Sequence, residues 1–349
     1  MIRVLIVDDS STYRMILRRV LSLDSSLEVA GTCRDGASCI DAIKSLKPDI
    51  ITLDQMMPGM DGLETLNKIK DTFPDPKTRP KVIMISSLST QGANITVEAL
   101  RRGALDFIAK PQEQSSEENI QFLKDQLLPK IHHLFGIGSS PPPMPAPSTS
   151  QPLAKPSGIL KKQSFNLIII GCSTGGPQAL GKFLPKLCEL THLPILIVQH
   201  MPPMFTKSLA NSLDQTCRHK VHEAEGGESV APDSVYIAPG GKHMALGHQS
   251  RLVLNTDEPE NHCRPAVDVL FRSVAQEFSG KVLTIILTGM GSDGTKHLKD
   301  LKSKGSTVLV QDEESSVVWG MPGSAVASGH VDGVFPLDDL PKKISQLLA

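Results

Sequence analysis

Aromatic residues, charge of one sign and long apolar runs are all scarce in this sequence, and each scarcity excludes a class of protein. Phe, Trp and Tyr make up 4% of the 349 residues, too few for a surface on which nucleic-acid bases stack. The formal net charge is -1, so no broad basic surface attracts nucleic acid or an anionic membrane. No apolar run approaches the roughly 20 residues of a transmembrane helix. We therefore expect neither nucleic-acid binding nor membrane insertion.

Paired cysteines are also missing, which argues against a disulfide framework. None of the six cysteines forms a C-x-x-C pair, and scattered cysteines of this kind are typical of reduced, buried thiols. The first residues, MIRVLIVDD, lead directly into a strand-like run and show no signal peptide. We therefore expect a cytoplasmic protein. The cysteines are Cys33, Cys39, Cys172, Cys188, Cys217 and Cys263.

A proline-rich stretch, GIGSSPPPMPAPSTSQPLAKPSG, divides the chain. It contains little to bury, so we predict an extended, semi-stiff linker, with a ligand for an SH3-like partner as the alternative. A chain of 349 residues is long enough for a domain on each side of it. The predicted boundaries are residues 1–135 for the first domain, 136–163 for the linker and 164–349 for the second domain.

Both halves alternate apolar runs with amphipathic ones. The first half contains IRVLIV, SLEVAGT, DIITL, KVIMIS and LDFIA, and the second FNLIIIG, PILIVQ, KVLTIILTG and STVLVQ. Strand–helix alternation at this spacing predicts parallel sheets with helices on both faces, so the fold class is α/β with two doubly wound domains. In the second, Rossmann-like domain, SVYIAP and the pair HMALG/RLVLN are interpreted as an inserted antiparallel hairpin region.

Acidic, hydroxyl and basic side chains follow four strands of the first half. Asp8 and Asp9 follow the first strand, Asp54 the third, Ser86 the fourth and Lys110 the fifth. Ligands of open parallel sheets bind at the carboxyl ends of the strands. Carboxylates that meet there suit Mg²⁺, and a carboxylate beside Mg²⁺ can accept a phosphoryl group. Any one of these acids alone would be interpreted as a helix N-cap.

The motifs VDDS, LDQMMPGMDG, ISS and AKP, at this spacing, resemble the response-regulator receiver domain over about residues 1–125. The resemblance implies a flavodoxin-like fold and phosphorylation of Asp54 by a chemotaxis histidine kinase. It implies a Mg²⁺ site in which Asp8 and Asp9 form the acidic pair. The Mg²⁺ ligands it implies are Asp9, Asp54 and the Met56 carbonyl, and the switch residues are Ser86, Phe107 and Lys110.

The second half contains GCSTGGP directly after an apolar run. A G-x-S-x-G turn can expose Ser173 as a nucleophile, whereas glycine-rich turns of this kind also bind phosphate. There is no G-x-G-x-x-G, and His200 and Asp293 follow two other strands. A serine needs a base, and the base needs an orienting carboxylate. Alone, His200 is a structural histidine and Asp293 the N-cap of the following helix; together with Ser173 they predict a catalytic site.

Backbone amides in the glycine-rich turns, at Thr174 or around Gly289-Met290-Gly291, are candidates for an oxyanion hole. The chain order Ser, His, Asp differs from that of α/β-hydrolases. The pairs His219-x-x-His222 and His262-Cys263 lack the partners of a zinc site, so we expect no metal in the second half.

The motifs GCSTGGP, QHMPPMFTKSLA, YIAPGGKHM, RPAVDVLF, LTGMGSDG and WGMPGSA resemble the catalytic domain of the chemotaxis protein-glutamate methylesterase family over about residues 164–347. The resemblance implies Ser173 as nucleophile, His200 as base, Asp293 as its orienter and the Met290 amide in the oxyanion hole. It implies glutamate methyl esters on chemoreceptor cytoplasmic helices as substrate, with glutamate and methanol as products. Deamidation of receptor glutamines is the second implied reaction.

Two complete sites in one chain predict that one regulates the other. The hypothesis is that the unphosphorylated receiver covers the Ser173 crevice and that phosphorylation weakens this cover. A receiver with a DNA-binding output would need a basic helix-turn-helix region, which the second half lacks. A nucleotide-binding output would have no use for His200 and Asp293. A general esterase would keep the triad, so only substrate comparison excludes it.

Overall fold

The computed structural model describes residues 1–111, 115–137 and 162–348. They form two compact units, one ending at Ile137 and the other beginning after it. Most of the predicted linker, residues 138–161, lies outside the described residues, so its boundaries stay a prediction. No described helix combines the length and the apolar character that crossing a membrane requires.

The first unit is a five-stranded parallel sheet with the strand order β2-β1-β3-β4-β5. This order is that of flavodoxin-like folds, with a switch point between β1 and β3. The prediction of a doubly wound first domain is therefore confirmed. Its elements are β1 Ile2–Val7, α1 Ser11–Leu21, β2 Leu27–Cys33, α2 Gly36–Leu46, β3 Ile50–Asp54, α3 Gly62–Thr72, β4 Lys81–Ser86, α4 Thr90–Arg101, β5 Asp106–Ala109 and α5 Ser116–Leu134.

Short polar residues begin every helix of this unit. Each N-cap side chain accepts a hydrogen bond from the amide three residues further along, which satisfies one of the free amides of the first turn. These side chains cap the helices in place of the predicted site residues, because each of Ser10, Asp61, Ser89 and Ser115 comes after the site residue at the preceding strand end. The N-caps are Ser10, Asp35, Asp61, Ser89 and Ser115.

The second unit contains a seven-stranded parallel sheet in the order β14-β13-β12-β6-β7-β9-β8 and a separate antiparallel pair, β10-β11. Its elements are β6 Leu167–Cys172, α6 Gly176–Leu190, β7 Ile195–Gln199, α7 Phe205–Asp214, β8 Lys220–Glu223, β9 Ser234–Ile237, β10 His243–Leu246, β11 Leu252–Asn255, α8 Val267–Glu277, β12 Val282–Ile286, α9 Leu298–Ser303, β13 Thr307–Gln311, α10 Gly320–Ala327, β14 Gly333–Phe335 and α11 Leu340–Leu347.

The doubly wound sheet and the hairpin of the second unit confirm the predicted fold class, with one correction. The segment SVYIAP does not belong to the hairpin region, because β9 lies in the main sheet and pairs parallel with β7 and β8. Three of its four residues are buried, as in a strand covered on both faces. A four-residue apolar run does not show whether its pairing is parallel or antiparallel.

Two helix starts of the second unit follow from local residues. Helix α10 begins at Gly320, with Trp319 as its N-cap residue and Pro322 in its first turn. A proline is compatible with this position because the amides of the first helical turn have no partner within the helix. The helix predicted from Asp293 begins at Leu298 instead, after Gly291 and Gly294 adopt positive φ angles of 82° and 87°.

The chain order of the second sheet places its switch point between β6 and β12. From β6 the chain adds β7, β8 and β9 on one side, and it then returns to add β12, β13 and β14 on the other. All residues of both central strands are buried. Ligand sites of such folds lie outside the carboxyl ends of the strands at this point. Ser173 directly follows β6.

Candidate functional site

The acidic site of the first unit lies at the switch point between β1 and β3. Asp8 and Asp54 are buried, Asp9 is exposed, and one carboxylate oxygen from each lies within 4.8 Å of the others. Lys110 Nζ lies 3.0 Å from Asp8 Oδ2 and 2.9 Å from Asp54 Oδ1. The lysine therefore bridges two carboxylates that would otherwise repel each other.

The electrostatics of this cluster favour an additional cation. Burial and the neighbouring Asp8 charge raise the pKa of Asp54 to about 6, although Lys110 opposes them. Burial also raises the pKa of Asp8. One ammonium group does not compensate three carboxylates, and oxygen ligands at this spacing suit Mg²⁺. The residues present thus fit the metal that receiver domains typically bind.

The predicted switch hydroxyl is held in a buried polar network. Ser86 Oγ donates to Gln55 Oε1 at 2.6 Å and accepts from Thr96 Oγ1 at 2.7 Å. Gln55 Nε2 in turn donates to the Gly92 carbonyl at 2.9 Å. The Ser86 hydroxyl therefore points to the Gln55 side chain. Gln55 was not among the residues predicted for this site, although its position between Asp54 and Met56 was a signal.

The two remaining receiver predictions concern Phe107 and Met56. Phe107 is buried in β5, and the Met56 side chain is exposed in the loop after β3. The roles assigned to the Phe107 ring and to the Met56 carbonyl stay predictions.

The turn that contains Ser173 connects β6 to α6. The Ser173 amide donates to the Thr288 carbonyl at 3.0 Å, and the Gly176 amide donates to the Ser173 carbonyl at 2.8 Å. Gly175 adopts a φ of 79°, which favours glycine. A Cβ atom on Gly289 would lie 2.9 Å from Ser173 Cβ. The close approach of these two strand ends is therefore possible only with glycine at position 289.

His200 and Asp293 form a hydrogen-bonded pair near the same edge of the sheet. His200 follows β7, and its Nε2 lies 2.7 Å from Asp293 Oδ2. The other ring nitrogen, Nδ1, lies 3.5 Å from Cys263 Sγ. Within the described residues, Ser173 Oγ forms no hydrogen bond with His200. The structure thus joins two members of the predicted triad directly, and the contact between Ser173 and His200 stays a prediction.

Asp293 binds the first turn of helix α8 as well as the histidine. Its carboxylate accepts from the Val267 amide at 2.6 Å and from the Asp268 amide at 2.9 Å. Ala266, the N-cap residue, offers no side-chain bond, so Asp293 satisfies amides that would lack a partner. Burial raises the pKa of Asp293, but the bonds from His200, Val267 and Asp268 outweigh it and hold this pKa below the usual range. Asp293 is therefore ionised and oriented.

The pKa of His200 is shifted upward, in the opposite direction to that of Asp293. Burial lowers the pKa of His200, but the hydrogen bond to Asp293 and the contact with Cys263 more than reverse this, so the pKa lies above the ordinary value. A carboxylate that stabilises the imidazolium suits a base that becomes charged during a reaction. The same carboxylate fixes the tautomer, because Nε2 carries the hydrogen that Asp293 accepts.

The candidate oxyanion residues flank the serine turn. Thr174 is buried, and its carbonyl accepts from Thr288 Oγ1 at 3.0 Å. Gly289, which precedes Met290, is held by two bonds: its amide donates to the Val318 carbonyl and its carbonyl accepts from the Met321 amide. The loop that contains Met290 is therefore anchored against the start of α10. The roles of the Thr174 and Met290 amides stay predictions.

Comparison with known families assigns both halves of the chain. The model for the CheB methylesterase matches residues 168–344, and the model for the response regulator receiver domain matches residues 4–120. The chain belongs to the CheB methylesterase family. The predicted combination of a receiver with a methylesterase is thereby confirmed, and the DNA-binding and nucleotide-binding alternatives are not favoured.

Relatives match the chain over almost its whole length. A protein-glutamate methylesterase/protein-glutamine glutaminase of Desulfotalea psychrophila is 43% identical and covers 98% of this chain and 97% of its own. One of Trichodesmium erythraeum has the same identity and the same shares. The crystal structure of the Thermotoga maritima CheB methylesterase catalytic domain is 43% identical, with a TM-score of 0.50, and covers 53% of this chain and 100% of its own. These matches identify the chain as an enzyme of the methylesterase type.

Three side chains beside the His200–Asp293 pair of this CheB methylesterase were not predicted from the sequence. They are Asn261, Cys263 and Asp268, which lie between β11 and α8 or at the start of α8. His262-Cys263 was considered only as part of a zinc site. No strand end or glycine motif precedes Asn261, so pattern analysis had no signal for it.

Proposed function

We propose that this chain hydrolyses glutamate methyl esters on the cytoplasmic helices of chemoreceptors and releases glutamate and methanol. We further propose that the same site deamidates receptor glutamines, as the names of the relatives state for those proteins. The observation that carries the proposal is the His200–Asp293 pair, which lies with the Ser173 turn at the carboxyl ends of the central strands. The enzyme acts in the cytoplasm, because that is where its substrate helices lie.

In the first step, Ser173 Oγ attacks the ester carbonyl and His200 takes the serine proton. Because Nε2 is bonded to Asp293, the proton passes to Nδ1. Asp293 stays ionised and stabilises the imidazolium. The Cys263 thiol, which contacts Nδ1, must give way to the serine hydroxyl for this transfer.

The second step expels methanol, which takes its proton from Nδ1. The Thr174 and Met290 amides stabilise the oxyanion that forms on attack and disappears on departure. Water then attacks the acyl-serine, again with His200 as base, and glutamate leaves. With a glutamine substrate the leaving group is ammonia, which needs the proton from His200 more than methanol does.

Regulation begins at Asp54, which accepts a phosphoryl group from a chemotaxis histidine kinase. Asp9, Asp54 and the Met56 carbonyl would hold Mg²⁺, with Asp8 completing the acidic pair, and the bound ion would supply positive charge to the phosphoryl oxygens. Lys110 binds a phosphoryl oxygen. The Ser86 hydroxyl gives up its hydrogen bond to Gln55 and donates to another phosphoryl oxygen. The Phe107 ring then repacks. The unphosphorylated receiver, residues 1–135, inhibits the catalytic domain, residues 164–349, across the linker.

The test is methanol release from methylated chemoreceptor, with and without Mg²⁺ and acetyl phosphate. Ser173→Ala should lose release, and Asp54→Ala should lose only the stimulation. Ser234→Ala and Asp41→Ala, which change residues outside the two proposed sites, should behave as the parent protein. A Ser173→Ala protein that still releases methanol would refute the assignment of the nucleophile.

A second assay separates the receptor enzyme from a general esterase. The ratio of kcat/KM for methylated receptor to kcat/KM for a small methyl ester should be large for the full chain. A small ester hydrolysed as efficiently as the receptor would contradict the proposed substrate.

A further inference from the structure

A tight turn between β11 and α8 brings side chains to the catalytic pair. The amides of Glu260 and Cys263 each donate to the other residue's carbonyl, at 3.2 and 3.0 Å. The two residues between them, Asn261 and His262, have φ angles of 54° and 61°. Positive φ at both central positions defines a type I′ turn, and asparagine is the residue best suited to it after glycine.

The Asn261 side chain links two buried carboxylates. The residue itself is exposed, but its Nδ2 lies 2.8 Å from Asp293 Oδ1 and 3.0 Å from Asp268 Oδ2. Asp268 and Asp293 are each only 2% exposed. An amide NH₂ group has two hydrogens, so one can be donated to each carboxylate.

The second carboxylate of the bridge, Asp268, is buried close to Asp293 and needs a hydrogen-bond donor. Burial and the charge of Asp293 raise the pKa of Asp268 to about 6. Its Oδ1 has no hydrogen-bond partner among the described residues. Two adjacent buried carboxylates repel each other when both are ionised, and a neutral donor shared between them reduces the cost of that arrangement.

Ion pairs and hydrogen bonds on both sides of the turn hold it in place and so orient the Asn261 and Cys263 side chains. The Glu260 carboxylate pairs with Arg272 of α8 at 2.8 Å and lies 3.4 Å from Lys296. His243 Nε2 lies 3.1 Å from the Glu258 carbonyl, and His243 Nδ1 accepts from the Ala266 amide at 3.2 Å. One buried imidazole therefore joins the two ends of the segment that contains the turn.

We propose that Asn261 is a positioning residue of the esterase site, which orients Asp293, and through it His200, by sharing its amide between Asp293 and Asp268. The inference deepens the proposed function and rests on the roles proposed there for His200 and Asp293. Cys263, from the same turn, contacts the other nitrogen of His200. The turn Glu260–Cys263 thus touches both members of the pair.

The experiment compares Asn261→Gly with His262→Gly in the full chain. Glycine keeps the positive φ of each position and removes only the side chain, and His262 forms no hydrogen bond within the described residues. For Asn261→Gly we expect kcat for methanol release to fall about 10- to 100-fold, with KM changed less than about threefold. For His262→Gly we expect the kinetics of the parent protein.

The pH profile distinguishes positioning from a merely structural role. Without the Asn261 donor, Asp293 holds the imidazolium more strongly, so the rise of kcat/KM with pH should move to higher pH in Asn261→Gly. The ionisable groups beside the pair are Asp268, Cys263 and His297. The substitution keeps all three, but it also removes the Asn261 hydrogen bond that lowers the pKa of Asp268. A normal kcat and an unmoved profile would overturn the inference.

Two further variants keep the outcome decisive. If Asn261→Gly does not fold, Asn261→Asp keeps the shape and the backbone preference but replaces the donor by a third carboxylate, and it should lose at least as much activity. An Asn261→Asp protein as active as the parent would also overturn the inference. Ser173→Ala, measured alongside, tests the proposed function separately, because an active Ser173→Ala protein refutes that function whatever position 261 does.

Discussion

His200 shows how the surroundings of a single residue suit it to the role proposed for it. Its two ring nitrogens face different partners, with Asp293 at Nε2 and the Cys263 thiol at Nδ1. Asp293 is not the N-cap of the helix that follows it, as an isolated aspartate would be interpreted; it binds the N-terminus of α8 instead. A carboxylate at the positive end of a helix dipole stays ionised, and this is what a base that becomes protonated needs.

The raised pKa of His200 predicts a shifted pH dependence. In the proposed role of base, His200 must be neutral to take the serine proton, and a pKa above the ordinary value means that the neutral form is reached only at higher pH. We expect kcat/KM of the full chain to rise with pH through an apparent pKa above about 6.5. NMR titration of His200 in Asp293→Asn should give a lower pKa than in the parent protein, since burial then acts without the carboxylate. A parent profile with its inflection below that of free histidine would contradict this account.

The Cys263 contact predicts sensitivity to thiol reagents. Four cysteines are buried, and only Cys217 and Cys263 are partly accessible. An adduct on a sulfur 3.5 Å from His200 Nδ1 blocks the approach of Ser173, so N-ethylmaleimide should abolish methanol release. The residual activity of Cys263→Ala should resist the reagent, whereas Cys217→Ala should stay sensitive. Inactivation that persists in Cys263→Ala would place the sensitive thiol elsewhere.

At the scale of elements, the network of Gln55, Ser86 and Thr96 joins two strand ends to α4. Gln55 follows β3, Ser86 ends β4 and Thr96 lies in α4. All three side chains are buried, and Gln55 also binds the Gly92 carbonyl in the first turn of α4. If Ser86 exchanges Gln55 for another partner, the hydrogen bonds that Gln55 and Thr96 make at α4 must rearrange, since buried polar groups must stay hydrogen-bonded.

Removing the Gln55 acceptor should make the receiver easier to activate. In Gln55→Met, Ser86 has no bond to Gln55 to give up when it turns to the phosphoryl group. We expect half-maximal stimulation of methanol release at a phosphodonor concentration about 3- to 10-fold lower, the equivalent of one hydrogen bond. Gln91→Met, at an exposed position of α4, serves as the matched control. An unchanged or higher concentration for Gln55→Met would show that this bond does not restrain the switch.

At the scale of the whole molecule, one architectural rule explains the location of both sites. Each unit is a doubly wound parallel sheet, and each candidate site lies at the carboxyl ends of strands that flank a switch point, β1 and β3 in one and β6 and β12 in the other. The chemistry differs because the residues at those ends differ. Carboxylates suit a cation and a phosphoryl group, whereas the glycine turn exposes a serine.

This division of chemistry predicts that metal removal affects only one function. The acidic cluster of Asp8, Asp9 and Asp54 is the group of possible metal ligands found in the described residues, and it lies in the receiver. EDTA should therefore abolish the stimulation by acetyl phosphate and leave basal methanol release unchanged, with recovery on addition of Mg²⁺. Loss of basal release in EDTA would indicate a metal in the catalytic half.

The fold class, the strand ends and the residue types at those ends can all be predicted from the amino-acid sequence. These properties are local, because the spacing of apolar residues predicts each strand and parallel strands share one carboxyl edge. Asp8, Asp54, Ser173, His200 and Asp293 were all predicted to lie at strand ends in this way.

Which distant side chains meet at these strand ends is visible only in the folded protein. The pairing of β9 with β7, the bond between Gln55 and Ser86 and the bridge from Asn261 to Asp293 and Asp268 each join residues far apart in the chain. No periodic pattern encodes such contacts, because they depend on how a turn or a sheet edge orients one side chain. The direction of Asn261 follows from two positive φ angles, and a polar turn sequence permits many other conformations.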